Sequence, residues 1–199
     1  MKIKYNAPAV LTFTIICAAV LLLSKTLIPG LTDNLFMVPG KGSFQLRNPL
    51  HIITIVTHVI GHADWSHLIS NFTLILLIGP MLEESYGSKR LFFMMLITAV
   101  VTGILNVLLF PSSLLGASGV VFMMILLSSF TNFSRGEIPL TFILVLILYM
   151  GVQLLDSIKS DNISQFAHIV GGLCGSFFGF IGAGKNSGYI KSGAARGEK

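Results

Sequence analysis

The sequence predicts an all-α, polytopic membrane protein folded as a bundle of six transmembrane helices. Three observations carry this. Of 199 residues, 53% are hydrophobic and only 11% charged, against about 25% charged in a soluble domain, and the mean hydropathy is +0.84. Apolar runs of roughly the 20 residues needed to cross a hydrocarbon core recur over 8–28, 52–82, 91–110, 116–132, 138–156 and 164–183. Lys and Arg are also sorted between the two sides that six crossings create, nine against four.

Taken in order, the first run has no small-residue cleavage site after it and reads as a retained helix rather than a signal peptide. The connection 29–51 is the one long loop. It carries Pro29, Gly30, Pro39, Gly40, Gly42 and Pro49 between apolar residues such as Phe36, Met37 and Phe44. It reads either as a plain tether or as an amphipathic element lying in the headgroup region. The second run exceeds one span and opens with the histidine-rich stretch His51 to His67, so its spanning part is expected to start near Trp65, an aromatic suited to the interface. Glu83 and Glu84, with Lys89 and Arg90, read as an ordinary loop before the third run. Pro111, Ser112 and Ser113 end the third run. The fourth and sixth each hold one polar group of chemical interest. From Gly184 onward the chain is glycine-rich, basic and polar, which predicts a membrane domain over 1–183 and a disordered tail over 184–199.

Orientation follows from the cations. Lys2, Lys4, Lys89, Arg90, Arg135, Lys185, Lys191, Arg196 and Lys199 fall on one side, and Lys25, Lys41, Arg47 and Lys159 on the other. Both termini are therefore expected in the cytoplasm. With so few charges, the net +5 is topology information rather than a nucleic-acid footprint. Cys17 and Cys174 lie in apolar runs and read as small buried hydrophobes, giving no disulfide framework.

This topology brings Ser118, His168, His67 and Asn71 to similar depth in the outer leaflet. Polar groups at bilayer depth are costly and usually face a bundle interior or a water-filled cavity. Ser118 follows Gly116 at a loop-to-helix transition, where free N–H groups and the helix dipole favour developing negative charge. It reads as a nucleophile or as a small-residue packing site. His168 reads as its general base, a satisfied core residue, a proton relay or a metal ligand. Gly171 and Gly175 share a helix face near His168, and Gly116 and Gly119 flank Ser118, so the fourth and sixth helices are expected to cross closely enough for a Ser–His hydrogen bond. His67 and Asn71, four apart on one face, can both donate and so complete an oxyanion site with the Ser118 N–H, or simply bond neighbouring helices. His58 and His62 cap backbone groups or bind metal; no carboxylate or cysteine cluster with ligand spacing accompanies them.

Thr57-His58, His62, His67-Leu68-Ile69-Ser70-Asn71, Gly79-Pro80-Met81-Leu82-Glu83-Glu84, Gly116-Ala117-Ser118-Gly119 and Ala167-His168-Ile169-Val170-Gly171 occur in that order. In this combination the chain resembles the rhomboid intramembrane serine proteases over roughly residues 8–183. The resemblance implies a six-helix rhomboid-like bundle whose active site opens to the outside through a water-filled cavity. Ser118 would be the nucleophile and His168 the base without a third carboxylate, with His67, Asn71 and the Ser118 backbone stabilising the oxyanion. It implies transmembrane protein substrates within the lipid bilayer, helix-disrupted at the cleavage site because an intact helix hides its carbonyls. No cofactor, metal or nucleic acid is implied, and the sequence carries no signal for an oligomeric state. A bacterial plasma (inner) membrane is the expected location, with the fifth span and the loop 157–163 as gate. Phe122 stands where many relatives carry tyrosine, and the loop 29–51 lacks the Trp-Arg pair that many show. The competing functions are an inactive rhomboid-like protein that binds membrane clients and a haem or proton-handling protein using His58, His62, His67 and His168.

Overall fold

The computed structural model describes residues 4–131, 138, 140–145, 147–148 and 162–194, with the side chains of the last helix described over 166–182. Among these residues eight helices follow one another: α1 (Pro8–Thr26), α2 (Leu31–Leu35), α3 (Pro49–Thr57), α4 (Trp65–Tyr86), α5 (Ser88–Leu109), α6 (Ser118–Ser128), α7 (Leu140–Val145) and α8 (Asn162–Ala194). The fold is all-α. Its one β feature among the described residues is an isolated antiparallel bridge between Val38 and Leu114.

Helix boundaries follow local chemistry. Asn48 caps α3, its side chain accepting from Leu50 N at 3.0 Å with Pro49 next in the chain, where a missing N–H costs nothing. Asp64 caps α4 by accepting from His67 N at 2.8 Å, so the helix starts at Trp65 and the run 52–82 divides into α3 and α4. Gly87 takes φ +82°, a left-handed value cheap only for glycine. That single residue reverses the chain between α4 and α5.

Among the described residues three helices are long and apolar enough to cross a membrane: α1, α4 and α5. The apolar stretches Ser118–Ser128 and Phe166–Gly182 are shorter. α6 is buried from Gly119 through Leu127 without interruption, as a helix apolar on all sides must be. It is the axis of the bundle, and at 11 residues it is shorter than the expected 116–132. The fifth expected span, 138–156, lies largely outside the described residues, as do the loop 157–163 and Lys2, Arg135, Lys159, Arg196 and Lys199. α8 continues past Gly184, where composition turns polar, so the division proposed at 183/184 does not coincide with its end.

Glu83 departs from the expected ordinary loop. It is buried inside α4, and its two carboxylate oxygens accept from Ala9 N and Val10 N, each at 2.9 Å. The N-cap Ala7 has no side-chain acceptor and Pro8 no N–H, so these donors would otherwise be orphaned. A negative charge at the positive end of α1 is favourable. The contact also puts the start of α1, the end of α4 and the start of α5 at one end of the bundle.

The loop 29–51 is no plain tether. Val38 and Leu114 exchange backbone hydrogen bonds at 3.1 and 3.0 Å, and Lys41 N donates to Phe110 O at 2.6 Å. A side chain on Gly40 would strike the Pro111 carbonyl. The loop is therefore docked against the segment that leads into Ser118.

Candidate active site

Three helix starts meet at the end opposite Glu83: those of α4, α6 and the described apolar part of α8. Gly116 takes φ +117°, and its N–H donates to His58 O at 2.9 Å. The chain then turns into α6 at Ser118. No side chain caps α6; Val121 N is the first to bond back, to Ala117 O at 3.0 Å. The N–H groups of its first turn, that of Ser118 included, thus head the positive end of the helix.

A cavity of about 570 Å³ opens at this point, lined by Ser118, His168, His67, Asn71, Ser70 and Phe122 among others. The structure so brings all four polar residues singled out in the sequence to one cavity. The helices behind them are close. A Cβ on Gly171 would collide with the Gly119 carbonyl, and one on Gly175 with the Met123 carbonyl. A Cβ on Gly119 would lie 3.3 Å from Ala167 O. Only glycine permits this approach of α6 to α8 beside His168. Gly116 differs: a Cβ there would meet the His67 ring, 2.6 Å from Cε1. It makes room for His67 rather than for α8, because it precedes the helix and its Cα faces α4.

Ring contacts orient the imidazoles. Phe122 stacks on His168 with centroids 4.2 Å apart and planes 8° from parallel. His67 meets His62 edge-on at 5.1 Å and 65°. Asn71 is buried, and one of its two amide N–H groups donates to His67 O at 3.1 Å; the other remains for a further acceptor.

His58 and His62, in the turn between α3 and α4, are both buried. His58 Nδ1 lies 3.0 Å from Ile55 O and its Nε2 3.3 Å from Thr102 Oγ1. Together with Gly116 N on its carbonyl, this ties α3, α5 and the loop that leads into Ser118. His62 Nδ1 lies 3.2 Å from Ile60 O, leaving Nε2 without a hydrogen-bond partner among the described residues. Burial pushes the His62 imidazole down to about 4, the neighbouring His67 adding to the effect and the Ile60 carbonyl opposing it. Burial likewise takes His58 down to about 4 against its backbone hydrogen bonds. Among the described residues no three His, Cys, Asp or Glu side chains form a metal-holding group.

Sequence reasoning missed Ser70 and the apolar wall of Leu74, Leu115 and Val121. Ser70 and Leu74 fall within one turn of His67 and Asn71, so helical spacing could have found them.

A model of the rhomboid domain matches residues 49–185. The chain belongs to the rhomboid family. It is similar to the rhomboid protease GlpG of Haemophilus influenzae, 20% identical over 174 residues, which are 86% of this chain and 88% of that one. It is also similar to rhomboid-like protein 11, chloroplastic, of Arabidopsis thaliana, 27% identical over 152 residues, 75% of this chain and 51% of the plant protein. Rhomboid-related protein 1 of Caenorhabditis elegans is 31% identical over 137 residues, 63% of this chain and 38% of the relative. The rhomboid match begins at Pro49, the start of α3, and takes in every residue that lines the cavity. This rhomboid chain is an integral membrane protein, with apolar helices long enough to span.

Proposed function

We propose that the protein is an intramembrane serine endopeptidase that hydrolyses peptide bonds in or near transmembrane segments with a Ser118–His168 dyad. One observation carries the reading: Ser118, His168, His67 and Asn71 line a single cavity at the uncapped start of α6. Family membership and the protease name of the Haemophilus relative point the same way.

The chemistry follows from the residues. His168 takes the proton of Ser118 Oγ as the oxygen attacks the scissile carbonyl. The carbonyl oxygen becomes an anion beside the Ser118 N–H, the free amide N–H of Asn71 and the His67 ring. Donors fixed in advance are worth most where charge develops. His168 then gives the proton to the leaving amine, and water repeats the sequence to release the acid. Stacking on Phe122 holds the imidazole where a third carboxylate would do so in other serine hydrolases.

The 11 residues of α6 rise about 16 Å, half of a hydrocarbon core of about 30 Å. A non-helical approach such as 110–117 is tolerated at membrane depth only inside protein or along a water-filled cavity, and its docking on the loop 29–51 supports that setting. The cation bias supports cytoplasmic termini and a cavity open to the outer face of a bacterial plasma membrane, with the segment from 184 as a basic tail outside the membrane domain.

The test is hydrolysis. Reconstituted with a single-span substrate carrying a helix-breaking residue, the wild type should release two fragments whose new ends map to the segment near that residue. Ser118→Ala should release none. Equal cleavage by both proteins would end the dyad reading and favour client binding or another chemistry.

A further inference from the structure

We propose that the groove between α1 and α5 is a binding site for an acidic phospholipid, one acyl chain along the groove and the anionic headgroup at Lys89. This cavity of about 530 Å³ is separate from the one at Ser118; its walls include Phe13 and Ile16 of α1 and Phe92 and Leu96 of α5, with Lys89 at one end. Glu83 fastens the start of α1 to α4, and α1 and α5 touch along one edge while the trough opens between their outer faces.

Length selects the occupant. The α5 wall runs from Ser88 to Ala99, a rise of about 17 Å and so about half the 30 Å hydrocarbon core. Beyond it Val56, Val59 and Ile60 line the far end, where the chain after α3 crosses toward Cys17, whose Sγ lies 3.9 Å from Val59 O. A trough closed after one leaflet suits an acyl chain of that leaflet. A second protein helix would have to cross both.

Charge selects the headgroup. Lys89 is exposed at the groove mouth and makes no ion pair among the described residues, and Lys4 and Arg90 lie at the same end. The nearest buried carboxylate, Glu83, is engaged by Ala9 and Val10. A flexible ammonium at the edge of an apolar trough can reach a phosphodiester while its stem lies on the wall, and basic pockets between spanning helices hold anionic headgroups. The inference does not depend on the protease reading.

The test counts lipids. The full chain is reconstituted in vesicles of equal parts phosphatidylcholine and phosphatidylglycerol, released, and weighed intact by native mass spectrometry. One phosphatidylglycerol should be retained over phosphatidylcholine by about fivefold, the scale of one lysine at an anionic headgroup. Lys89→Gln should bring the two lipids to parity and Lys89→Arg should keep the preference. Leu96→Trp, which fills the trough, should retain neither lipid. Should Leu96→Trp lose its melting transition, Ile16→Phe fills the same space from α1. An unchanged preference in Lys89→Gln, retention in a filled groove, or a bound polypeptide in place of lipid would each overturn the proposal.

Discussion

At the start of α1, the Ala9 and Val10 N–H groups meet the two oxygens of a buried carboxylate, Glu83, supplied by a neighbouring helix. At the start of α6 no side chain caps the helix, and the first N–H groups border a cavity that also holds His67, Asn71 and His168. The two ends share their backbone chemistry, and each presents orphan donors at a positive helix pole. They differ in what fills the place of the anion. At α1 a permanent carboxylate occupies it and the end is structural. At α6 no side chain caps the helix, and the proposed function leaves the place for charge that exists only during reaction. On the proposed function, one helix end serves stability and the other is held for catalysis.

Substitutions at the two ends should separate these roles. The largest effect is expected at the open end: His168→Ala should lower the cleavage rate by roughly 10⁶-fold, the scale of losing one member of a nucleophile–base unit, with the melting temperature in detergent little changed. Asn71→Ala should lower kcat by about 10²–10³-fold and leave KM close to wild type, because the lost donor acts on the oxyanion. A rise in KM alone would make Asn71 a packing residue. At the closed end, Glu83→Ala should destabilise the fold by about 2–4 kcal/mol, as expected for buried donors left unpaired, read as a lower melting temperature. Glu83→Gln should cost less, since its amide oxygen still accepts one bond. Activity per folded molecule should survive in both; if it falls as far as in His168→Ala, the contrast between the ends fails.

The smallest effect concerns pH. His58 and His62 are held neutral in the fold, both pushed down to about 4, while an unfolded histidine titrates near 6.5. Between those values the unfolded chain binds more protons, so stability rises with pH there. It should be complete above pH 6.5 and fall as pH drops toward 4. Melting curves across this window should show that slope, and His62→Gln should make it shallower.

Much of the open end was legible in the sequence because its signals are local. Trp65 marks the start of α4, His67 and Asn71 sit one turn apart, and Gly171 and Gly175 lie on one face. Glu83 was not legible, because its partners are backbone N–H groups 74 and 73 residues away and leave no side-chain pattern. The docking of the loop 29–51 was hidden for the same reason, since Val38 and Leu114 pair through their main chains. The nearness of Gly116 to Gly119 predicts helix packing; only the fold shows that its Cα faces the His67 ring. The shortness of α6 was equally invisible, as an apolar run does not record where the chain leaves the helix inside the protein.

The claim that the start of α6 is the reacting end is tested most directly by locating a covalent adduct. The purified protein is treated with a fluorophosphonate, digested, and the modified residue mapped by mass spectrometry. The adduct should sit on Ser118, be lost in Ser118→Ala and form far more slowly in His168→Ala. An adduct on another residue, or labelling that persists in Ser118→Ala, would contradict the account.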